Sequence, residues 1–257
     1  MKKELEAFDR LLEIMDELRE KCPWDKKQTI ESLRTLTIEE TYELADAIIK
    51  NDLEELKKEL GDLMLHIVFY AKIGSEKNAF DITDVLRGIN EKLVRRHPHV
   101  FSDVKVQDSK EVEENWEQIK MKEKDRNNSV LSGVPESLPA LVKANRIQQK
   151  VRGVGFDWDE RNQIWDKVKE ELNELQHEIE TENQEKIEAE FGDLFFSLIN
   201  AARLYDIDPE TALERTNKKF MKRFNYLEEQ TIKKGQSLKK MNLDEMNKVW
   251  EAAKKFD

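Results

Sequence analysis

The residues of this chain with the most chemical potential are acids that recur at fixed spacing. Glu39-Glu40-x-x-Glu43 is followed by Glu59-Leu-Gly-Asp62, and Glu170-Glu171-x-x-Glu174 by Glu190-Phe-Gly-Asp193, with the same gap between the two groups in both cases. On a helix, residues three apart share a face, so Glu40 pairs with Glu43, Glu59 with Asp62, Glu171 with Glu174, and Glu190 with Asp193. If the helices carrying each pair pack antiparallel, four carboxylates converge. Such a cluster repels itself unless a cation sits in it. Oxygen ligands without cysteine or a nearby histidine suit a hard divalent ion, Mg²⁺ or Mn²⁺. One such acidic run is usually only a solvated face. Here the second pair of each group runs directly into an apolar segment, LMLHIVFYA or LFFSLINAA, so by helical phase the acids border the buried stripe.

Mg²⁺ is commonly held by a few carboxylates together with substrate phosphates, which directs attention to cations. Asn217, Lys219 and Arg223 have a counterpart in Asn90, Lys92 and Arg96. Lys219 and Arg223 share a helix face and could neutralise a polyphosphate. Trp250 could stack on a base or sugar, although a tryptophan on an amphipathic helix is more often core. His97 and His99 form an isolated loop pair and Cys22 has no nucleophile partner, so none of the three is a site candidate.

The elements that must position these groups are helices. Gly and Pro number 8 and 5 in 257 residues, too few to punctuate many turns. Apolar periodicity predicts helices from about Leu5 to Leu18, Gln28 to Lys50, Asp52 to Ile73 with Gly74 at its end, Thr83 to Arg96 and Ser109 to Lys124. After a polar stretch at 126–136 the order repeats, with helices from about Ser137 to Val151, near 160–181 and 183–205, from Asp208-Pro209 to Lys234, and from Leu243 to Phe256. No convincing strand appears. The expected architecture is all-α and duplicated: a first repeat over 1–125, a linker over 126–136 and a second repeat over 137–257.

Composition narrows the function classes. A formal charge of -11 disfavours nucleic acid as a main ligand, since phosphate-backbone affinity comes from clustered Lys and Arg. The longest nearly apolar run, Leu63 to Ala71, is far short of a membrane span. MKKELEAFDR has no apolar stretch of the secretory kind, and one cysteine fits a reducing compartment. A soluble, cytoplasmic protein without membrane contact is expected.

In order along the chain, CPWDKKQT, TIEETYEL, ELGDLMLHIVFYA, KLVRRHPHVF, WEQIK, SLPAL, GFDW, VKEELNEL, EFGDL and NKKFMKRF resemble segments of the MazG nucleoside triphosphate pyrophosphohydrolases in their two-repeat form. The resemblance implies an all-α fold, a homodimer, and Mg²⁺-dependent hydrolysis of NTP or dNTP to the monophosphate and pyrophosphate. It also implies Glu171, Glu174, Glu190 and Asp193 as metal ligands, and Lys167, Lys186, Lys219, Arg223 and Trp250 as nucleotide contacts. The first repeat would offer Glu40, Glu43, Glu59 and Asp62. The chemistry is then metal-assisted attack of water on the α-phosphorus, with Glu170 or Glu171 as general base. The positions of Lys167 and Lys186 hold Leu36 and Glu55 in repeat one, so the second repeat is expected to be the main catalytic site. A di-iron bundle is disfavoured because Asp62 and Asp193 stand where that class has histidine. A non-catalytic nucleotide-binding or regulatory helical module is the competing reading.

Overall fold

The computed structural model describes residues 2–106, 108, 111–112, 115–116, 119, 129–235 and 237–256, with nothing said of the side chain of Lys234. Among these residues the secondary structure is helical, with no strand. The chain divides into two compact units, Met1–Ser109 and Lys110–Asp257. The helix expected over 109–124 and the start of the linker expected over 126–136 fall mostly outside the described residues.

The first unit contains α1 (Lys3–Lys21), α2 (Ile30–Lys50), α3 (Leu53–Glu76) and α4 (Ile82–Arg96), followed by one helical turn at Pro98–Phe101. Pro23 prevents α1 from continuing. The Thr29 hydroxyl accepts from the Ser32 backbone N–H at 3.1 Å and the Ser32 hydroxyl from the Thr29 N–H at 2.9 Å, a reciprocal cap that starts α2. Asp52 caps α3 as expected. That helix does not stop at Gly74; it runs on to Glu76, and the Phe80 ring packs against Gly74 in the space a side chain would need. Met15, Leu33, Val68, Phe69 and Ile73 form the core of this unit, with Phe8, Leu12 and Leu36 packed around them.

The second unit repeats the plan with α5 (Ala140–Arg152), α6 (Ile164–Thr181), α7 (Gln184–Leu204), α8 (Pro209–Thr231) and α9 (Leu243–Ala253). Asp208 caps α8 through the Thr211 N–H with Pro209 at the first helical position, as the sequence suggested. Ile164, Leu175, Ile199 and Leu227 are buried. Between α5 and α6 the chain crosses a loop containing Gly155 at φ 84, a left-handed conformation that glycine adopts without strain.

Candidate functional site

Each pair of central helices is a hairpin closed by the same device. Asn51 and Glu182 take left-handed conformations with φ 54 and 56, and the next residue, Asp52 or Asn183, caps the following helix. Glu43 and Glu59 are equidistant in sequence from Asn51, as Glu174 and Glu190 are from Glu182, so folding the hairpin brings each pair to one level. One carboxylate oxygen from each of Glu40, Glu43 and Glu59 lies within 4.8 Å of the others, and the same holds for Glu171, Glu174 and Glu190. The fourth expected acid of each set, Asp62 or Asp193, is exposed and outside the tight trio.

The electrostatics of the trios favour a cation. Burial pushes the Glu190 carboxyl above its ordinary value, and the charges of Glu174, Asp193, Glu171 and Glu178 push it the same way, so Asp193 contributes its field without joining the trio. Burial likewise raises Glu59, helped by a hydrogen bond with Glu55 and then by Glu43, Glu55 and Glu40. One oxygen in each repeat, Glu59 Oε2 and Glu190 Oε2, is buried with no hydrogen-bond partner among the described residues. Unpartnered buried carboxylate oxygen is costly. Three hard oxygens in reach of one point, one of them unpartnered, fit a divalent cation with water and phosphate completing its shell.

The repeats differ in what surrounds these acids. In the second, Lys167 Nζ lies 2.6 Å from Glu171 and 2.9 Å from Glu170. Hydrogen bonds that Lys167 donates to Glu171 first and Glu170 second hold it protonated well above the ordinary lysine value. In the first repeat Leu36 takes that position and packs on the core. Beside the second cluster lies a cavity of about 570 Å³ whose wall includes Lys167, Glu171 and Asp193, within the range of small-molecule sites. The other expected nucleotide contacts stand apart from it. Lys186 pairs with Glu178 at 3.2 Å, Lys219 is exposed, and Arg223 lies 5.6 Å over the ring of Trp250, which packs against Phe220 at 4.9 Å between centroids. None of these four lines the cavity.

Several cavity residues carried no sequence-based assignment. Gln148, Trp158, Asn200 and Arg203 form part of its wall with Asp157. Arg203 clamps Asp157 through both terminal nitrogens, one at 3.0 Å, and donates to Asn200 Oδ1 from Nε at 2.9 Å and Nη2 at 2.7 Å. A signal for Asn200 existed: in the register that aligns Glu40 with Glu171 it replaces Phe69 in an otherwise apolar segment.

Comparison with known proteins adds a family. The model of the MazG nucleotide pyrophosphohydrolase domain matches the chain twice, over residues 28–101 and 160–227. The sequence is 42% identical to the nucleoside triphosphate pyrophosphohydrolase of Escherichia coli (strain K12), covering 98% of each chain. It is 44% identical to the nucleoside triphosphate pyrophosphohydrolase/pyrophosphatase MazG of Thermotoga maritima, over 97% of this chain and 96% of that one. The uncharacterized protein YabN of Bacillus subtilis is 48% identical over 97% of this chain, which spans 52% of it.

Proposed function

Since the chain belongs to the MazG nucleotide pyrophosphohydrolase family and is a nucleoside triphosphate pyrophosphohydrolase, we propose that its main catalytic site is the acid cluster and cavity of the second repeat. The observation that carries this is Lys167, a protonated lysine joined to Glu171 at the cavity wall, where the first repeat has Leu36, half-buried and packed against its core. A triphosphate needs cationic partners, and this position supplies one in only one of the two copies.

Glu171, Glu174 and Glu190 would hold the divalent cation, Mg²⁺ or Mn²⁺, with Asp193 adding negative potential from the cavity wall. When bound, that cation supplies charge neutralisation for the polyphosphate and a water of lowered pKa. Lys167 moves from its carboxylate partners toward a phosphate oxygen and stabilises the charge that develops as pyrophosphate departs. Glu170 or Glu171 accepts the proton of the attacking water; Glu170 is the exposed member and Glu171 the buried one. Lys186, Lys219 and Arg223 would extend the cationic surface toward the terminal phosphates, each from a helix of the same unit. The first repeat, with Glu40, Glu43 and Glu59 together and Asp62 nearby in sequence, holds a cation without a triphosphate.

A homodimer belongs to this reading through the family resemblance, and Phe195 on α7 and Phe220 on α8, 60% and 57% exposed, are candidates for its interface. So does a cytoplasmic setting, in keeping with one free cysteine, Cys22. Incubation with each NTP and dNTP and Mg²⁺, followed by ion-exchange chromatography, tests the chemistry. Nucleoside monophosphate with equimolar pyrophosphate is expected. Diphosphate with inorganic phosphate would mean that attack falls on another phosphorus.

A further inference from the structure

The hairpin of the second repeat also fixes what stands one turn beyond its acids. Glu178 and Lys186 are each four residues from Glu182, the left-handed residue at the turn, so hairpin closure sets them opposite each other. At 1.5 Å per residue their level is roughly 6 Å along the helices from that of Glu174 and Glu190. The two side chains meet, with Lys186 Nζ donating to Glu178 Oε1 at 3.2 Å. Glu178 also accepts from the Thr181 hydroxyl at 3.0 Å. It is the more enclosed partner, its side chain 14% exposed against 61% for that of Lys186.

Lys186 has a second carboxylate within reach. Glu190 lies four residues on along the same helix, the spacing at which lysine and glutamate share a face and pair. Lys167 and Glu171 show that spacing occupied on the facing helix, where Nζ comes to 2.6 Å from the carboxylate. The first repeat shows it occupied on α3, since Glu55, at the position of Lys186, hydrogen-bonds with Glu59, at the position of Glu190. Glu190 belongs to the second trio, and an ammonium resting on it would compete with a divalent ion for the same carboxylate. The observed partner of Lys186 is Glu178 instead.

The two repeats vary these positions together. Opposite Lys186 stands Glu178; opposite Glu55 stands Ala47, 2% exposed. The hairpin closes with either pair, so packing does not require an acid at 178. The charge of Glu178 also reaches Glu190 and adds to the repulsion around it, a cost that the scaffold of the first repeat avoids.

We propose that Glu178 is a positioning residue, which parks the Lys186 ammonium across the hairpin and so leaves the Glu190 carboxylate to the divalent cation. Glu178 acts through Lys186 and not by ligating the ion. A polyphosphate bound at that ion then finds the lysine one helical turn away. The proposal rests on the reading of Glu171, Glu174 and Glu190 as the cation site of the catalytic repeat.

A double-mutant cycle on Mn²⁺ binding without nucleotide tests it, read from the electron paramagnetic resonance signal of the unbound ion. The full chain carries Glu43→Ala, so that the ion counted is that of the second repeat, together with Glu178→Gln, Lys186→Met or both. Gln keeps the size of Glu178 and an oxygen for the Thr181 hydroxyl; Glu178→Ala, the residue the first repeat has there, takes its place should that variant fail to fold. Glu178→Gln should weaken Mn²⁺ binding about tenfold, Lys186→Met should change it less than about twofold, and the double variant should return it close to the starting value. If the two charges act only through their separate fields, Lys186→Met strengthens binding by the same factor with or without Glu178, and that additivity overturns the proposal. Unchanged Mn²⁺ binding in Glu178→Gln overturns it as well. Failure of the underlying reading looks different: the Glu43→Ala chain then binds no Mn²⁺, or still binds it after Glu174→Ala is added.

Discussion

Asp157 ties the loop before α6 to the cavity wall. Its carboxylate accepts from both terminal nitrogens of Arg203 and from the Trp158 backbone N–H, and Arg152 lies 3.7 Å away. Burial acts to raise its pKa, but the hydrogen bond from Arg203, the Trp158 N–H and the two guanidinium charges outweigh burial and leave it below the ordinary 3.8. A carboxyl lowered on folding contributes stability that is fully present above its unfolded value and is lost as pH falls through the folded one. Asp157→Asn removes the counterion of Arg203, which is 9% exposed, and should cost about 2 kcal/mol near neutral pH. Urea midpoints of the variant and the unchanged chain should differ clearly at pH 7 and converge only as the pH falls below the ordinary 3.8. A gap of the same size across that range would mean that the charge of Asp157 is not what holds the loop.

Glycines separate two kinds of position within the helices. A Cβ at Gly74 would stand 2.8 Å from the Phe80 ring and from its carbonyl oxygen, so the α3–α4 junction would have to move. Gly192 lies mid-helix between Glu190 and Asp193, and a Cβ there meets nothing within 4 Å. Gly74→Ala should therefore destabilise by about 1–3 kcal/mol through overpacking. Gly192→Ala should stabilise the folded chain by about 0.5–1 kcal/mol through helix propensity. Thermal melts of both variants check the signs, and a destabilising Gly192→Ala would mean that something besides this chain's own described residues approaches that glycine. The two glycines also show what could be read from sequence. Caps at Asp52 and Asp208 and the start of the hairpins were legible, because polar side chains bonding to the next backbone N–H are local events. Gly74 resembled a helix end, but Phe80, six residues on, made it a packing site. The acid trios were legible because hairpin closure turns equal spacing from a turn into proximity. The cavity was not, because the partners of Gln148 lie 48 residues away at Phe196, and only comparison of the two repeats marks Asn200 as out of place.

For the whole chain, a net charge of -11 means that a polyphosphate gains little from the overall field at either repeat and depends on the cations next to the acids. Both repeats have three converging carboxylates and an unpartnered oxygen, so both can attract a divalent ion. They part at the next step. Around Glu171 a protonated lysine and an open cavity adjoin the acids. Around Glu59 the neighbouring position holds Glu55, whose carboxyl is engaged by Lys58 at 2.5 Å and by Glu59 itself. A triphosphate brought to the first repeat would meet one more negative charge and lack the lysine, whatever ion sat there. Glu171→Ala and Glu174→Ala should each lower NTP turnover by about a hundredfold or more, as expected when a charge-stabilising group is removed. Glu40→Ala and Glu43→Ala should retain most of it while lowering the number of Mn²⁺ ions bound per chain in equilibrium dialysis. Equal losses of turnover from both sets would show that the two copies work as one catalytic device, and the difference between Lys167 and Leu36 would then need a role outside the binding of triphosphate.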